Sequence, residues 1–216
     1  MTRGMAMILT LLVLGFAIFA GWYSGQRADY FPASLQAAKT ICESSPGDFE
    51  AQTVQTDFED QWFSGELAAF HEPSLYRRPA TAPRSIRFTW LRSFHDPIVV
   101  RIDAAPGGRQ TLTAKRRPAG HGYGPTPGAG RSIELERLLT PPEATALDAA
   151  IARSGLFDAP AAGCSCCLDG AQWIIEGVDP LGGYRYRNRQ SPKDGLEHAL
   201  GLHLLGLTGW DVGDIY

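Results

Sequence analysis

Hydrophobic and polar positions repeat with different periods along this chain, and the changes of period divide it. Met5 to Tyr23 carries no charge in 19 residues. At about 1.5 Å per residue such a segment nearly crosses a hydrocarbon core of roughly 30 Å. Pro32 to Cys42 predicts a short amphipathic helix through Leu35, Ala38, Ile41 and Cys42. Thr56 to Phe70 sets Phe58, Trp62, Phe63, Leu67 and Phe70 at helical spacing, with Glu59, Asp60 and Glu66 opposite. Such an aromatic stripe reads as a face docked on a core. Pro79 and Pro83 make Arg78 to Arg84 a connector.

From Ser85 the period becomes two. Ile86, Phe88 and Trp90 alternate with polar or smaller neighbours, as do Ile98, Val100 and Ile102, then Leu112 and Ala114, then Ile133, Leu135 and Arg137. The glycine- and proline-rich stretch Gly120 to Gly130 interrupts them. It resembles a phosphate-cradling loop only superficially, since no Gly-Lys-Ser/Thr follows. Thr140-Pro141-Pro142-Glu143 is a capping box that opens a helix with Leu147 and Ile151 inward, closed at Gly155. Ser191-Pro192-Lys193-Asp194 repeats that capping logic before a stripe of Leu196, Leu200, His203, Leu204 and Leu207.

Between those helices, Asp169 to Pro192 predicts a hairpin with an apolar arm (Trp173, Ile174, Ile175) and a cationic arm. In the cationic arm Tyr184, Tyr186 and Asn188 share one face, and Arg185, Arg187 and Arg189 the other. The resulting order ββββαββα predicts an α+β fold, an antiparallel sheet of about six strands with helices packed on one face. The segments are then a membrane anchor or signal over 1–26, an acidic helical arm and linker over 27–84, and an α+β domain over 85–216.

Net charge is a modest −3, but its distribution is polarised: Asp29 to Glu72 holds nine acidic side chains against Lys39, and Arg77 to Arg131 eleven basic against Asp96 and Asp103. Mutual neutralisation of the two halves is favoured over nucleic-acid binding, because the whole chain is slightly acidic. The arginine stripe is the candidate ligand-binding face, an anion site to which Arg87 and Arg101 add if register allows. Its rival is internal pairing, with Glu134, Glu136 and Glu176 or with the acidic arm.

Cys42, Cys164, Cys166 and Cys167 are the only cysteines. Outside the cytoplasm they oxidise, and a bridge from Cys42 to the cluster staples the arm to the domain. Four cysteines leave three pairings open. The C-x-x-C within the cluster lacks the strand and helix of a thioredoxin-like site, and no second pair stands at finger-like spacing, so neither a metal nor a cofactor is called for. His95, with Asp96 or Asp169 as carboxylate and Ser191 as a distant nucleophile, is a weak candidate for a hydrolase-type centre, and nothing in the spacing joins them. No G-x-S-x-G elbow or H-E-x-x-H is present.

The apolar amino-terminal segment is either an uncleaved anchor or a secretory signal ending near Ala20. Trp22 and Tyr23 at its outer end favour the anchor, and Arg3 places the amino terminus in the cytoplasm. The expected location is the cell inner membrane, single-pass with a periplasmic domain, or secretion after cleavage. Glu72-Pro73-Ser74-Leu75, Phe88 to Pro97 (FTWLRSFHDP), and Asp169-Gly170-Ala171-Gln172-Trp173 followed by Arg189 to Pro192 resemble a family of secreted or membrane-anchored bacterial envelope proteins without an assigned activity. The resemblance spans about Phe58 to Gly209 and implies an envelope location and one shared domain, but no catalytic residues. The expected function is a non-enzymatic binding or structural module that meets the membrane and a protein partner or anionic ligand.

Overall fold

The structure, a computed structural model, describes residues 29–79, 82–118, 132–166, 169–179, 181 and 183–216. The expected membrane segment, the whole glycine-rich stretch Gly120 to Gly130, and Cys167 lie outside the described residues. Among the described residues no helix is long and apolar enough to cross a membrane.

The elements follow the order α1 (Ser34–Ala37), β1 (Lys39–Ser45), β2 (Asp48–Thr53), α2 (Asp57–Ala69), β3 (Ser85–Arg92), β4 (Ile98–Ala104), β5 (Gln110–Arg116), β6 (Ile133–Leu138), α3 (Pro141–Ser154), β7 (Ala162–Cys164), β8 (Ala171–Val178), β9 (Tyr184–Gln190) and α4 (Gly195–Thr208). The fold is α+β. Its main sheet has seven strands in the order β6-β5-β4-β3-β8-β9-β7. Every pairing is antiparallel except β7 with β9.

The seventh strand corrects the expected six. At three residues (Ala-Gly-Cys), β7 is too short to show a period. The arm also departs from expectation. Its helix α1 stops at Ala37, and Cys42 lies in a two-stranded antiparallel ribbon, β1-β2. The ribbon is half-hidden in sequence because its apolar residues Ile41 and Phe49 point into solvent, at 67% and 66% exposure. The turn between its strands uses Gly47, at φ +86°.

Helices cover both faces of the sheet. On one face α3 and α4 bury Leu147, Ile151, Leu200 and Leu204 against Ile86, Phe88, Trp90, Val100, Trp173 and Ile175. On the other, α1 and α2 with Tyr30 and Phe31 bury Phe63, Leu67 and Phe70 against Leu91, Val99, Ile174 and Tyr186. The expectation of helices on one face therefore describes α3 and α4 alone. Double coverage explains why all eight residues of both β3 and β8 are buried and why β8 shows a continuous apolar run.

Local chemistry sets the helix ends. Thr56 with Glu59 and Thr140 with Glu143 form complete capping boxes, and Gly155 closes α3 in the left-handed region at φ +64°. Arg137 holds the Glu143 carboxyl at about 2 by hydrogen bonding, helped by the Thr140 backbone and side chain. The Ser191-to-Asp194 cap does not form as expected. The Ser191 hydroxyl accepts from the Ala171 amide at 3.0 Å instead, and α4 starts at Gly195. Helix α4 approaches the sheet closely at Gly201, where an added Cβ would lie 2.7 Å from the Trp173 ring.

The oppositely charged halves of the chain do pack together. Arg77 pairs with Asp29, Arg101 and Lys115 with Glu72, and Arg117 with Glu66. A Cys42–Cys164 disulfide joins β1 to β7 across 122 residues of sequence. It selects one of the pairings left open. Cys166 is exposed. Closing so long a loop restricts the unfolded chain by about 4–5 kcal/mol on the chain-entropy model. We expect the double variant Cys42→Ala/Cys164→Ala to lose about 3–5 kcal/mol in denaturant unfolding. An unchanged midpoint would show that the bridge adds nothing to docking of the ribbon.

Candidate functional site

Strand β9 separates its side chains as its alternation predicts. Tyr186 and Asn188 are buried under the arm at 1% and 2% exposure. Arg185, Arg187 and Arg189 face the α3–α4 side, in register with Gly177, Ile175 and Trp173. The open cationic surface is not formed there. Arg185 Nε donates to the Phe157 carbonyl at 2.7 Å, Arg187 Nε to Glu197 Oε1 at 2.8 Å, and Arg189 Nη1 to Asp194 Oδ1 at 3.1 Å. The partners come from the start of α4 and the loop after α3, not from Glu134, Glu136, Glu176 or the acidic arm. Arg87 and Arg101 lie on the opposite sheet face, because Arg87 is in register with Glu176 and Arg101, and Glu176 with Tyr186. The five arginines therefore share no surface.

The hydrolase constellation is likewise not assembled. His95 Nδ1 lies 2.8 Å from the Tyr216 hydroxyl, and Asp96 pairs with Arg116 at 3.0 Å. The contact of Asp169 is its carbonyl, which accepts from Gln190 Nε2 at 2.9 Å. Ser191 has a positive φ of 42°, an unusual backbone for a serine, yet its hydroxyl is held by the Ala171 amide and no histidine bonds to it. No cluster of three or more potential metal ligands occurs among the described residues.

Arg87 and Arg101 instead belong to a buried ion network that joins arm to sheet. Arg87 is 0% exposed. It donates through Nε and Nη2 to Glu176 Oε2 at 2.8 and 2.6 Å, and through Nη1 to the Pro73 carbonyl at 2.6 Å. Glu176 also accepts from the Tyr184 hydroxyl at 2.9 Å. Glu72 Oε2 receives Arg101 Nε at 2.8 Å, and Glu72 Oε1 stands 2.9 Å from Lys115 Nζ. The Lys115 contact is off the hydrogen-bonding angle, so it is an ion pair, with the ammonium also donating to the Phe70 carbonyl at 2.8 Å. Burial pushes the Glu72 carboxyl up, but Arg101, Lys115 and Arg87 together outweigh it and hold the group below its ordinary value. For Glu176 burial wins over the single Arg87 and the carboxyl is raised. These residues are architecture, because every charge in the network has a partner.

An opening lies at one end of the sheet, where the start of α2 meets the end of β3, the start of β8 and the end of β9. It is a cleft of about 220 Å³ lined by Phe58, Glu59, Trp62, Ser93, Ser165, Gln172 and Gln190, among others. Its aromatic wall is the Phe58–Trp62 pair, ring centroids 6.0 Å apart. Phe58 is 57% exposed, so this end of the stripe leaves the core that Phe63, Leu67 and Phe70 enter. Opposite stands Gln172, 7% exposed, whose Oε1 is buried and has no hydrogen-bond partner. A buried acceptor without a donor costs roughly 1–3 kcal/mol, so its presence at a cleft wall marks a demand for a donor.

The rest of the lining is fixed. Ser165 donates to Glu59 Oε1, Gln190 Oε1 accepts from the Cys166 amide at 2.9 Å, and Ser93 Oγ accepts from the Gly170 amide at 3.2 Å. The disulfide at Cys164 positions Ser165 directly, and Gly163 beside it lets β7 reach the arm, since a Cβ there would lie 1.8 Å from the Val54 carbonyl oxygen. Among the described residues, no lysine, arginine or histidine lines the cleft. Sequence reading placed Phe58 and Trp62 in a docking face and did not single out Gln172 or Gln190. The available signal was Phe58 and Trp62 forming an i, i+4 row of their own, offset from Phe63, Leu67 and Phe70.

No protein-family model and no curated protein matches this chain.

Because Glu72 joins three cations from the sheet to the arm, Glu72→Gln should cost about 3–5 kcal/mol, the range for breaking a buried pair. The lowered carboxyl contributes stability above the ordinary value of 4.5 and loses that contribution as pH falls through its folded value. Denaturant titrations should show the gap between parent and variant full at neutral pH and shrinking in acid. A gap independent of pH would contradict the pairing.

Proposed function

We propose that this chain is a membrane-anchored, extracytoplasmic binding module without catalytic activity, and that the cleft between α2 and the end of the sheet is its recognition site. The observation that carries the binding reading is the cleft that Phe58, 57% exposed, lines together with Gln172, whose buried Oε1 has no hydrogen-bond partner among the described residues. The candidate groups for a hydrolase are engaged elsewhere: His95 with Tyr216, Asp96 with Arg116, and the Ser191 hydroxyl with a main-chain amide. Non-enzymatic binding is the simpler reading.

The location rests on two independent supports. The Cys42–Cys164 bridge suits an oxidising compartment. The uncharged run Met5 to Tyr23 suits a membrane anchor with the positive amino-terminal end inside. The resemblance of Glu72 to Leu75 and Phe88 to Pro97 to envelope proteins agrees with both.

The full chain expressed in a bacterial host should resist carbonate extraction from membranes. It should become protease-sensitive once the periplasm is opened, and carry a Cys42–Cys164 bridge by non-reducing mass spectrometry. Recovery from the cytosol with both thiols alkylatable would overturn the reading.

A further inference from the structure

We propose that the outer face of the β1-β2 ribbon docks on the same face of a second copy of this chain; the inference stands apart from the cleft. The ribbon is inverted in polarity. In antiparallel register Lys39, Ile41 and Glu43 of β1 lie opposite Thr53, Ala51 and Phe49 of β2, so these six residues share one face. Ile41 and Phe49 on it are 67% and 66% exposed. The face that turns inward is the polar one: Cys42 bridges to Cys164, and Gln52 Oε1 accepts from the Ser165 amide at 3.2 Å. A slip of one residue would bury the apolar pair, but the bridge at Cys42 fixes which face turns inward. Two large apolar side chains are thereby held outward side by side, which is the pattern of a contact surface rather than of singly scattered residues.

The face is complementary to itself. A second ribbon laid on it about a two-fold axis running across the strands sets β1 over β1 and β2 over β2 with their directions reversed. Lys39 then faces the partner's Glu43 at both ends of the contact. Ile41 faces the partner's Ile41, and Phe49 faces the partner's Thr53 beside Ala51, where small side chains leave room for the ring. Both charges have capacity to spare. The Lys39 ammonium has three donors and gives one to Thr53 Oγ1 at 2.8 Å, while Glu43 accepts from the Gly47 amide at 2.9 Å through one of its two oxygens. A bilayer surface fits less well, because Glu43 beside the apolar pair, with Asp48 and Glu50 in the same ribbon, would meet anionic headgroups. A face of six residues is smaller than the roughly 800 Å² per partner of a standard interface, so the contact is weak and reversible.

The test is sedimentation equilibrium of the full, oxidised chain in density-matched detergent micelles over a concentration series. A reversible monomer–dimer equilibrium is expected. Ile41→Ser and Phe49→Ser should each weaken it by about tenfold or more, since each removes apolar area from both copies. Lys39→Glu alone and Glu43→Lys alone should each weaken it by about fivefold. Mixed in equal amounts, those two charge variants should recover the parent affinity as a heterodimer, because opposite charges then meet at both ends. All four positions are exposed, so parent melting curves and an intact Cys42–Cys164 bridge verify that the variants fold. Dimerisation that ignores Ile41→Ser and Phe49→Ser would overturn the proposal, as would charge variants that fail to recover on mixing. A monomer throughout the series would also overturn it and leave the face to a partner of different sequence.

Discussion

A fully buried guanidinium is costly unless every side of it is met, and Arg87 is the point at which this chain meets that condition. Two of its nitrogens close on Glu176 within the sheet, and a third reaches the Pro73 carbonyl in the arm. Glu72, one residue before, draws Arg101 and Lys115 from neighbouring strands into the same network. Without the arm, three cations on the sheet would lose carboxylate or carbonyl partners in a low-dielectric layer. The acidic arm and the basic sheet are therefore a single folded unit, and the polarised charge along the sequence is the record of that docking.

The cleft depends on the same docking. Its aromatic wall belongs to α2, and its amides to β8 and β9. Glu59 links the two sides, capping α2 at Thr56 while accepting from Ser165 beside the disulfide and from Asn188 of β9 at 3.5 Å. A shift of the arm by one helical turn would dissolve the site without disturbing α3 or α4. The geometry of the cleft is a consequence of charge pairing and of the Cys42–Cys164 staple, which both hold the arm to the sheet.

Much of the architecture was legible in the residues. The continuous run Trp173-Ile174-Ile175 marks a core strand, and the Thr140-to-Glu143 box marks a helix start because its chemistry is local. The alternation of β9 correctly separates tyrosines from arginines. Which acids meet those arginines was not legible, since Glu197 and Asp194 reach them only after α4 crosses the sheet. The same limit applies to Arg87 and Arg101: their faces follow from strand registers that no single strand encodes. Strand β7 has too few residues to carry a pattern, and the ribbon β1-β2 turns its apolar side chains outward. Gln172 looks like any polar strand residue until its burial and missing donor are seen together. The proposed envelope location rests on residues whose character is compositional, Met5 to Tyr23 and the cysteines.

Native-state hydrogen exchange tests the coupling of arm and sheet most directly. If docking through Arg87 and Glu72 makes them one unit, the slowest amides of α2 should exchange with the same opening free energy as those of β3 and β8, and follow them through a denaturant series. Exchange of α2 through an earlier, smaller opening, with β3 and β8 still protected, would show that the arm is an independent attachment, and the cleft would no longer be a fixed site.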